Sequence, residues 1–185
     1  MDIEKIFRPG ASAYIVGVKG TGTSALAELL CKAGMQVSGS DVGEVFYTDA
    51  ILKELGIPCY EGFDAAHIKD DFDLVIHSAA YDAGSNPELV EAKRRSLPVI
   101  SYPEALGAFS AAFDSTGVAG VHGKTTTTAM AGALMQGAGL PAQILAGGAA
   151  FNGRSTLTLG NKYFIAETCE YRKHFLAFHP RRVIL

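Results

Sequence analysis

The stretch GVAGVHGKTTTTAM, Gly117–Met130, sets a Gly-Lys pair before four consecutive threonines. Residues of this kind make poor core and good phosphate chemistry. Between a strand and a helix, the amides of a glycine loop cradle an anion, the lysine pairs with β- and γ-oxygens, and the next hydroxyl serves Mg2+. Gly120, Val121, His122, Gly123, Lys124, Thr125 and Thr126 then form the cradle, with Lys124 on the phosphates and Thr125 on the metal. The strict spacing G-x-x-x-x-G-K-[ST] asks for glycine at 118, where Val118 stands between Gly117 and Gly120. A threonine-rich helix start with an exposed lysine is the plainer alternative, and the later threonines are open to it. For His122, a phosphate contact and a turn or cap role both stand.

A second loop, GVKGTGTS at Gly17–Ser24, follows an apolar run and precedes a helical pattern. Gly17, Gly20 and Gly22 let the backbone turn and approach a phosphate, while the free amides of a helix start around Thr21, Thr23 and Ser24 face the anion. The spacing is G-x-x-G-x-G, not the dinucleotide fingerprint G-x-G-x-x-G, which argues against NAD. Turn glycines without a ligand are the alternative. Asp41 stands where such folds place a ribose contact, and equally where SGSD would place a turn residue. His77 and Ser78 close a later strand and line the same crevice, because ligands sit at strand carboxyl ends.

The elements that must position these loops alternate strand and helix. Ala13–Val16 is a short strand, and Ala25, Leu26, Leu29, Leu30 and Ala33 share one face of a helix over Ser24–Ala33 that Gly34 stops. Strands at Gln36–Ser38, Ile57–Tyr60, Leu74–His77 and Val99–Ile100 continue the series, with helices at Asp49–Leu55, at Pro87–Arg95 and from Pro103. Beyond Gly117, a helix over Thr125–Gln136 and strands near Gln143–Leu145 and Tyr163–Ala166 begin another. Repeated β-α-β units predict an α/β fold. Residues 1–110 form a Rossmann-like, doubly wound parallel sheet, and 111–185 the start of a P-loop ATPase-type α/β domain. The apolar run Arg182–Leu185 stops without turn or cap, as expected of a second domain cut short.

Composition narrows the function. At 48% hydrophobic and 19% charged, the chain has the apolar content to bury a core. No apolar run reaches the roughly 18 residues of a membrane span, and MDIEKIFRPG lacks a signal-peptide profile, so the sequence reads as cytoplasmic with no membrane partner. Cys31, Cys59 and Cys169 are scattered and odd in number, which suggests neither a disulfide framework nor a zinc site. Residues 1–116 carry nine basic and seventeen acidic side chains, a balance of −8, whereas 117–185 carry seven and two, a balance of +5. The acidic first part argues against a nucleic-acid partner, and any anion bound there must be held mostly by backbone amides.

GVHGKTTTTAMAGALMQGAGL resembles the ATP loop and following helix of the Mur ligases, which attach amino acids to UDP-muramic acid precursors. IVGVKGTGTSALAELLCKAGMQVSGSD resembles that family's uridine-nucleotide loop, SAAYDAGSNPELVEAKRRSLPVIS its later N-terminal segment, and IAETCEYRKHFLAFHP its acidic metal-site segment. Histidine before Gly-Lys-Thr-Thr-Thr resembles the member that adds the first residue. Val121 replaces a threonine usual in the family, and ETCEYR replaces a run of alternating acids, leaving Glu167 and Glu170.

The resemblance implies ATP and Mg2+ as cofactors, with Lys124 on the ATP phosphates and Thr125 and Glu167 on the metal. Glu170 reads equally as a solvated helix-start acid. UDP-N-acetylmuramate is implied at Gly17–Ser24, and L-alanine is joined to it through a further domain, by way of an acyl phosphate, in peptidoglycan precursor synthesis. Without that domain the chain is expected to bind without turnover. A ligase that returns murein tripeptide to UDP-muramic acid, a nicotinamide-dependent oxidoreductase using only the first loop, and a non-catalytic UDP-sugar-binding protein are the other readings.

Overall fold

The computed structural model describes residues 3–168 and 176–185. The chain divides into two compact units, Met1–Ala105 and Leu106–Leu185. The first holds strands β1 (Ser12–Val16), β2 (Gln36–Asp41), β3 (Cys59–Glu61), β4 (Leu74–His77) and β5 (Val99–Ser101), with helices α1 (Thr21–Lys32), α2 (Thr48–Glu54) and α3 (Pro87–Arg94). Helix α4 (Tyr102–Ser110) contains the division point, and Pro103 lies in its first turn, where a missing amide donor matters least. The sheet order is β3-β2-β1-β4-β5, and every pairing is parallel. The chain builds outward from β1 to β3, then returns to lay β4 on the other side of β1, so the order reverses between β1 and β4. That reversal opens a crevice at the strand carboxyl ends.

Parallel strands covered on both faces read as near-continuous apolar runs. Ala13, Tyr14, Ile15 and Val16 of β1 and Leu74, Val75 and Ile76 of β4 are fully buried. Helix α1 presents Leu26, Leu29 and Leu30 to this core, and ends where the Gly34 amide reaches the Cys31 carbonyl and the Met35 amide the Leu30 carbonyl. Gly34 has φ +85°, a conformation that glycine adopts without strain at a helix stop. Asn86 caps α3 by accepting from the amides of Glu88 and Leu89.

Capping of α3 sets Glu88 inside the unit, fully buried. Its Oε1 accepts from the Tyr14 hydroxyl at 2.8 Å and lies 2.7 Å from His67 Nδ1, while Oε2 accepts from the Ser40 hydroxyl at 2.5 Å. Burial pushes the Tyr14 phenol well above its ordinary pKa. One carboxylate thus ties β1, β2 and the 3-10 turn Ala65–His67 to α3.

The second unit contains β6 (Asp114–Val118), α5 (Lys124–Gly137), β7 (Ala142–Leu145), β8 (Thr156–Thr158), β9 (Tyr163–Glu167) and β10 (Arg182–Ile184), in the order β10-β6-β9-β7-β8. All pairings are parallel except β7 with β8. Val118, Ala142, Ile144 and Ile165 form a core with Ala131 and Met135 of α5. Elsewhere in this unit Phe164 meets Phe109, Phe113 and Phe178 at ring separations of 5.9, 5.6 and 6.2 Å. The antiparallel β8 is absent from the sequence reading, because three residues are too few to show a period of two.

Glu88→Ala should remove about 3–5 kcal/mol from the stability of the first unit, since it leaves the buried Tyr14 and Ser40 hydroxyls without their acceptor. Urea denaturation followed by circular dichroism measures it. A loss below about 1 kcal/mol, the scale of a surface change, would show that the network does not hold the strands together.

Candidate functional site

In the first unit, Gly17 leaves β1 with φ +82°, and the amides of Gly17 and Val18 donate to the Ser40 carbonyl at 2.8 and 3.1 Å. The Thr23 hydroxyl donates to the carbonyls of Gly17 and Gly20 at 2.6 and 3.0 Å, and that of Ser24 to Thr21 at 3.1 Å. These two side chains therefore brace the loop from inside, leaving ligand contact to its amides. Helix α1 starts after Gly20 with no side-chain cap and no acid in its first turn, so its leading amides suit an anion at the carboxyl edge of the sheet. Thr21 is exposed, and its hydroxyl accepts from Tyr47 at 3.1 Å. Gly22 lies under the Tyr102 ring: a Cβ there would come within 2.9 Å of Cζ.

Asp41, at the end of β2, is 4% exposed. Its Oδ2 accepts the Lys19 amide at 2.7 Å, and its Oδ1 accepts the Val42 amide and the Tyr81 hydroxyl, both at 2.9 Å. The Lys19 ammonium donates to the carbonyls of Val42 and Glu44 and pairs with Asp49 at 3.3 Å. His77 ends β4 and Ser78 follows it, both half-buried, with His77 Nδ1 3.1 Å from the Ser78 carbonyl. Tyr81 bridges the crevice from β4 to β2. Burial, and then its hydrogen bond to Asp41, pushes the Tyr81 phenol up to about 12.

In the second unit, β6 leads through Ala119–Gly123 into α5. Gly120 and Gly123 have φ +140° and +80°, and α5 also begins without a side-chain cap or an acid in its first turn. Val121 and His122 are exposed, and Lys124 Nζ donates to the Gly120 carbonyl at 2.7 Å. Thr125 and Thr126 lie exposed on the first turn, whereas Thr128 is fully buried. Glu167 ends β9 beside Val118 of β6, and its carboxylate accepts the Gly147 amide. Thr125 Cγ2 lies 4.0 Å from the Cβ position of neighbouring Gly148. Thr125 and Glu167 therefore border one turn.

Among the described residues no group of three His, Cys, Asp or Glu side chains could hold a metal by itself. Glu170 lies outside the described residues. No helix among the described residues is long and apolar enough to cross a membrane.

Lys19, Tyr81 and the Gly147–Gly148 turn are additions to the sequence reading. Topology was the signal for Tyr81: once β4 neighbours β1 at the reversal, the segment after Ser78 must border the crevice.

A family model described as "Mur ligase family, catalytic domain" matches residues 12–114. UDP-N-acetylmuramate–L-alanine ligase of Treponema pallidum is 54% identical over 178 residues, covering 95% of this chain and 37% of that protein. The ligase of the same name from Borreliella burgdorferi is 42% identical, covering 93% and 38%. A solved UDP-N-acetylmuramate:L-alanyl-gamma-D-glutamyl-meso-diaminopimelate ligase from Neisseria meningitides matches with a TM-score of 0.83 at 30% identity, over 95% of this chain and 60% of that one. The solved UDP-N-acetylmuramate-alanine ligase of Thermotoga maritima matches at 0.76 and 28%, over 93% and 40%.

Tyr81 supplies a pH signature. Its folded pKa lies above the ordinary 10.0, so the fold favours the protonated phenol. That contribution is whole below pH 10 and is lost as pH rises through about 12. Ultraviolet phenolate titration of the chain and of Tyr81→Phe should differ by one absorbance step near pH 12. A missing step near the ordinary value would show that the ring is not held in the crevice.

Proposed function

Because the chain belongs to the Mur ligase family, we propose that it is the nucleotide-binding part of an ATP-dependent ligase that joins L-alanine to UDP-N-acetylmuramate in peptidoglycan precursor synthesis. The chain spans about 37% of the length of the Treponema pallidum relative, and the reaction is proposed for a protein of that length. The 185 residues alone are proposed to bind both nucleotides without turnover. The observation that carries this reading is the pair of glycine loops, each at the start of an uncapped helix and each belonging to its own sheet. Residues 1–110 are assigned to the UDP-sugar, at Gly17, Gly20, Thr21, Gly22, Thr23, Ser24, Asp41, His77 and Ser78. Residues 111–185 are assigned to ATP, at Gly120–Thr126. The working compartment is proposed to be the cytoplasm.

In the proposed reaction an oxygen of the muramoyl lactyl carboxylate forms a bond to the γ-phosphorus of ATP as the bond to the β–γ bridging oxygen breaks, giving acyl phosphate and ADP. The L-alanine amine then bonds to the acyl carbon, the bond to the phosphate oxygen breaks, and the amine proton passes to solvent. Phosphoryl transfer asks chiefly for in-line positioning and charge neutralisation. The α5 amides would hold the phosphate chain, and Lys124 would leave the Gly120 carbonyl for the transferring group. Thr125 and Glu167 offer one hydroxyl and one carboxylate, a hard-oxygen set that suits Mg2+ when phosphates complete its shell. Bound there, Mg2+ would neutralise developing charge.

The fold likeness to the tripeptide ligase from Neisseria meningitides supports a second reading, transfer of murein tripeptide instead of L-alanine. Phosphate release with each acceptor, by a protein of the relatives' length, separates the two.

Titration calorimetry of this chain should show saturable binding of UDP-N-acetylmuramate and of ATP, and none of NAD. Lys124→Ala should weaken ATP binding by about tenfold or more, the scale of a lost charge-assisted contact, and leave UDP-sugar affinity within about twofold, since distant sites act independently. In a protein long enough to turn over, the same change should cost about 3–5 kcal/mol of transition-state stabilisation. Intact ATP affinity and near-normal turnover in Lys124→Ala would end the phosphate-cradle reading.

A further inference from the structure

An open parallel sheet receives its ligand where the strand order reverses, and here the mouth of that crevice is filled by Tyr81. The ring lies directly on the glycine loop: a Cβ at Gly17 would come within 2.5 Å of Tyr81 Cε2 and 2.9 Å of Cδ2. Phe63 packs against it with ring centres 4.6 Å apart. The hydroxyl donates to Asp41 Oδ1 at 2.9 Å. That oxygen also takes the Val42 amide, and Oδ2 takes the Lys19 amide. A carboxylate oxygen offers about two lone-pair sites, so Oδ1 is fully engaged. The Oδ1 of the acid that such folds use for a ribose hydroxyl has no open acceptor site while Tyr81 stays in place.

We propose that Tyr81 is a specificity gate, in which the ribose of an incoming uridine nucleotide takes Asp41 Oδ1 and displaces the Tyr81 hydroxyl. The proposal rests on the assignment of Gly17–Ser24 to a uridine nucleotide. Ala80, Asp82, Gly84 and Ser85 around Tyr81 are exposed. Its phenol, held protonated up to about pH 12, is a donor at neutral pH and so competes with a ribose hydroxyl for the same acceptor. Apparent affinity is then the intrinsic affinity multiplied by the fraction of molecules with Tyr81 displaced. A nucleotide lacking the competing hydroxyl has nothing to set against the tyrosine.

Tyr81→Phe keeps the ring on Gly17 and removes the competing donor. Calorimetric titration of this chain and the variant with uridine diphosphate and with 2′-deoxyuridine diphosphate tests the gate, with a thermal melt confirming that the variant folds. The variant should bind uridine diphosphate about tenfold more tightly, the scale of one hydrogen bond to a charged acceptor, and show no gain with the deoxy form. Should Tyr81→Phe fail to fold, Tyr81→Leu carries the same comparison. Unchanged or weaker uridine diphosphate binding by a folded variant, beside normal binding by the unmodified chain, overturns the gate alone. An equal gain for both nucleotides overturns it as well. Binding of neither nucleotide to either protein removes the uridine assignment and the gate with it.

Discussion

The arrangement depends on backbone amides that no side chain among the described residues caps. Helices α2, α3 and α4 each carry an acid in the first turn: Asp49 accepts from the Phe46 amide, Glu88 follows the Asn86 cap, and Glu104 accepts from the Ser101 amide and hydroxyl. Helices α1 and α5 have neither a cap nor an acid there. A capping side chain contributes about 0.5–2 kcal/mol, so its omission at the two helices that follow glycine loops is a real sacrifice of local stability. An acid in either first turn would occupy the amides and repel an anion by its own charge. The stability forgone there is supplied elsewhere, by fully buried apolar strands and by the Glu88 network.

Amide cradling explains how an acidic unit can be read as an anion site. The first 116 residues carry a balance of −8, yet the carboxylate nearest the loop, Asp41, is turned inward. It receives the Lys19 and Val42 amides and the Tyr81 hydroxyl, so its charge organises the loop from behind. Lys19 completes the same task on the outer side by holding the Val42 and Glu44 carbonyls and Asp49. The loop is thus fixed through its surroundings while the leading amides of α1 remain without a side-chain cap.

How far the sequence disclosed this depends on the range of the interaction concerned. Gly17, Gly120 and Gly123 are legible because the positive φ that each adopts is a local requirement, and the strand-helix alternation because burial on both faces leaves apolar runs. The start of α1 was read three residues late, since Thr21, Gly22 and Thr23 have no apolar periodicity. The sequence assigns Thr23 and Ser24 to an anion through helix-start amides; that their hydroxyls bond loop carbonyls depends on side-chain rotamer, which no spacing discloses. Asp41 carried two sequence readings. Its partners Lys19 and Tyr81 stand 22 and 40 residues away, beyond the reach of any local pattern.

The two loop lysines show why similar residues serve different ends. Lys19 is bound to two carbonyls and an acid, with its side chain 11% exposed. Recruiting it to a phosphate would break all three contacts and leave Asp49 without this partner. Lys124 reaches the exposed Gly120 carbonyl at the rim of its own loop, beside the amides assigned to the phosphate chain. Lys19 already faces the Asp49 carboxylate, so a phosphate offers it little that it lacks. On the proposed reading this divides the labour: the first loop holds its nucleotide with amides and reads it by shape, while the second brings a lysine charge to the group that moves.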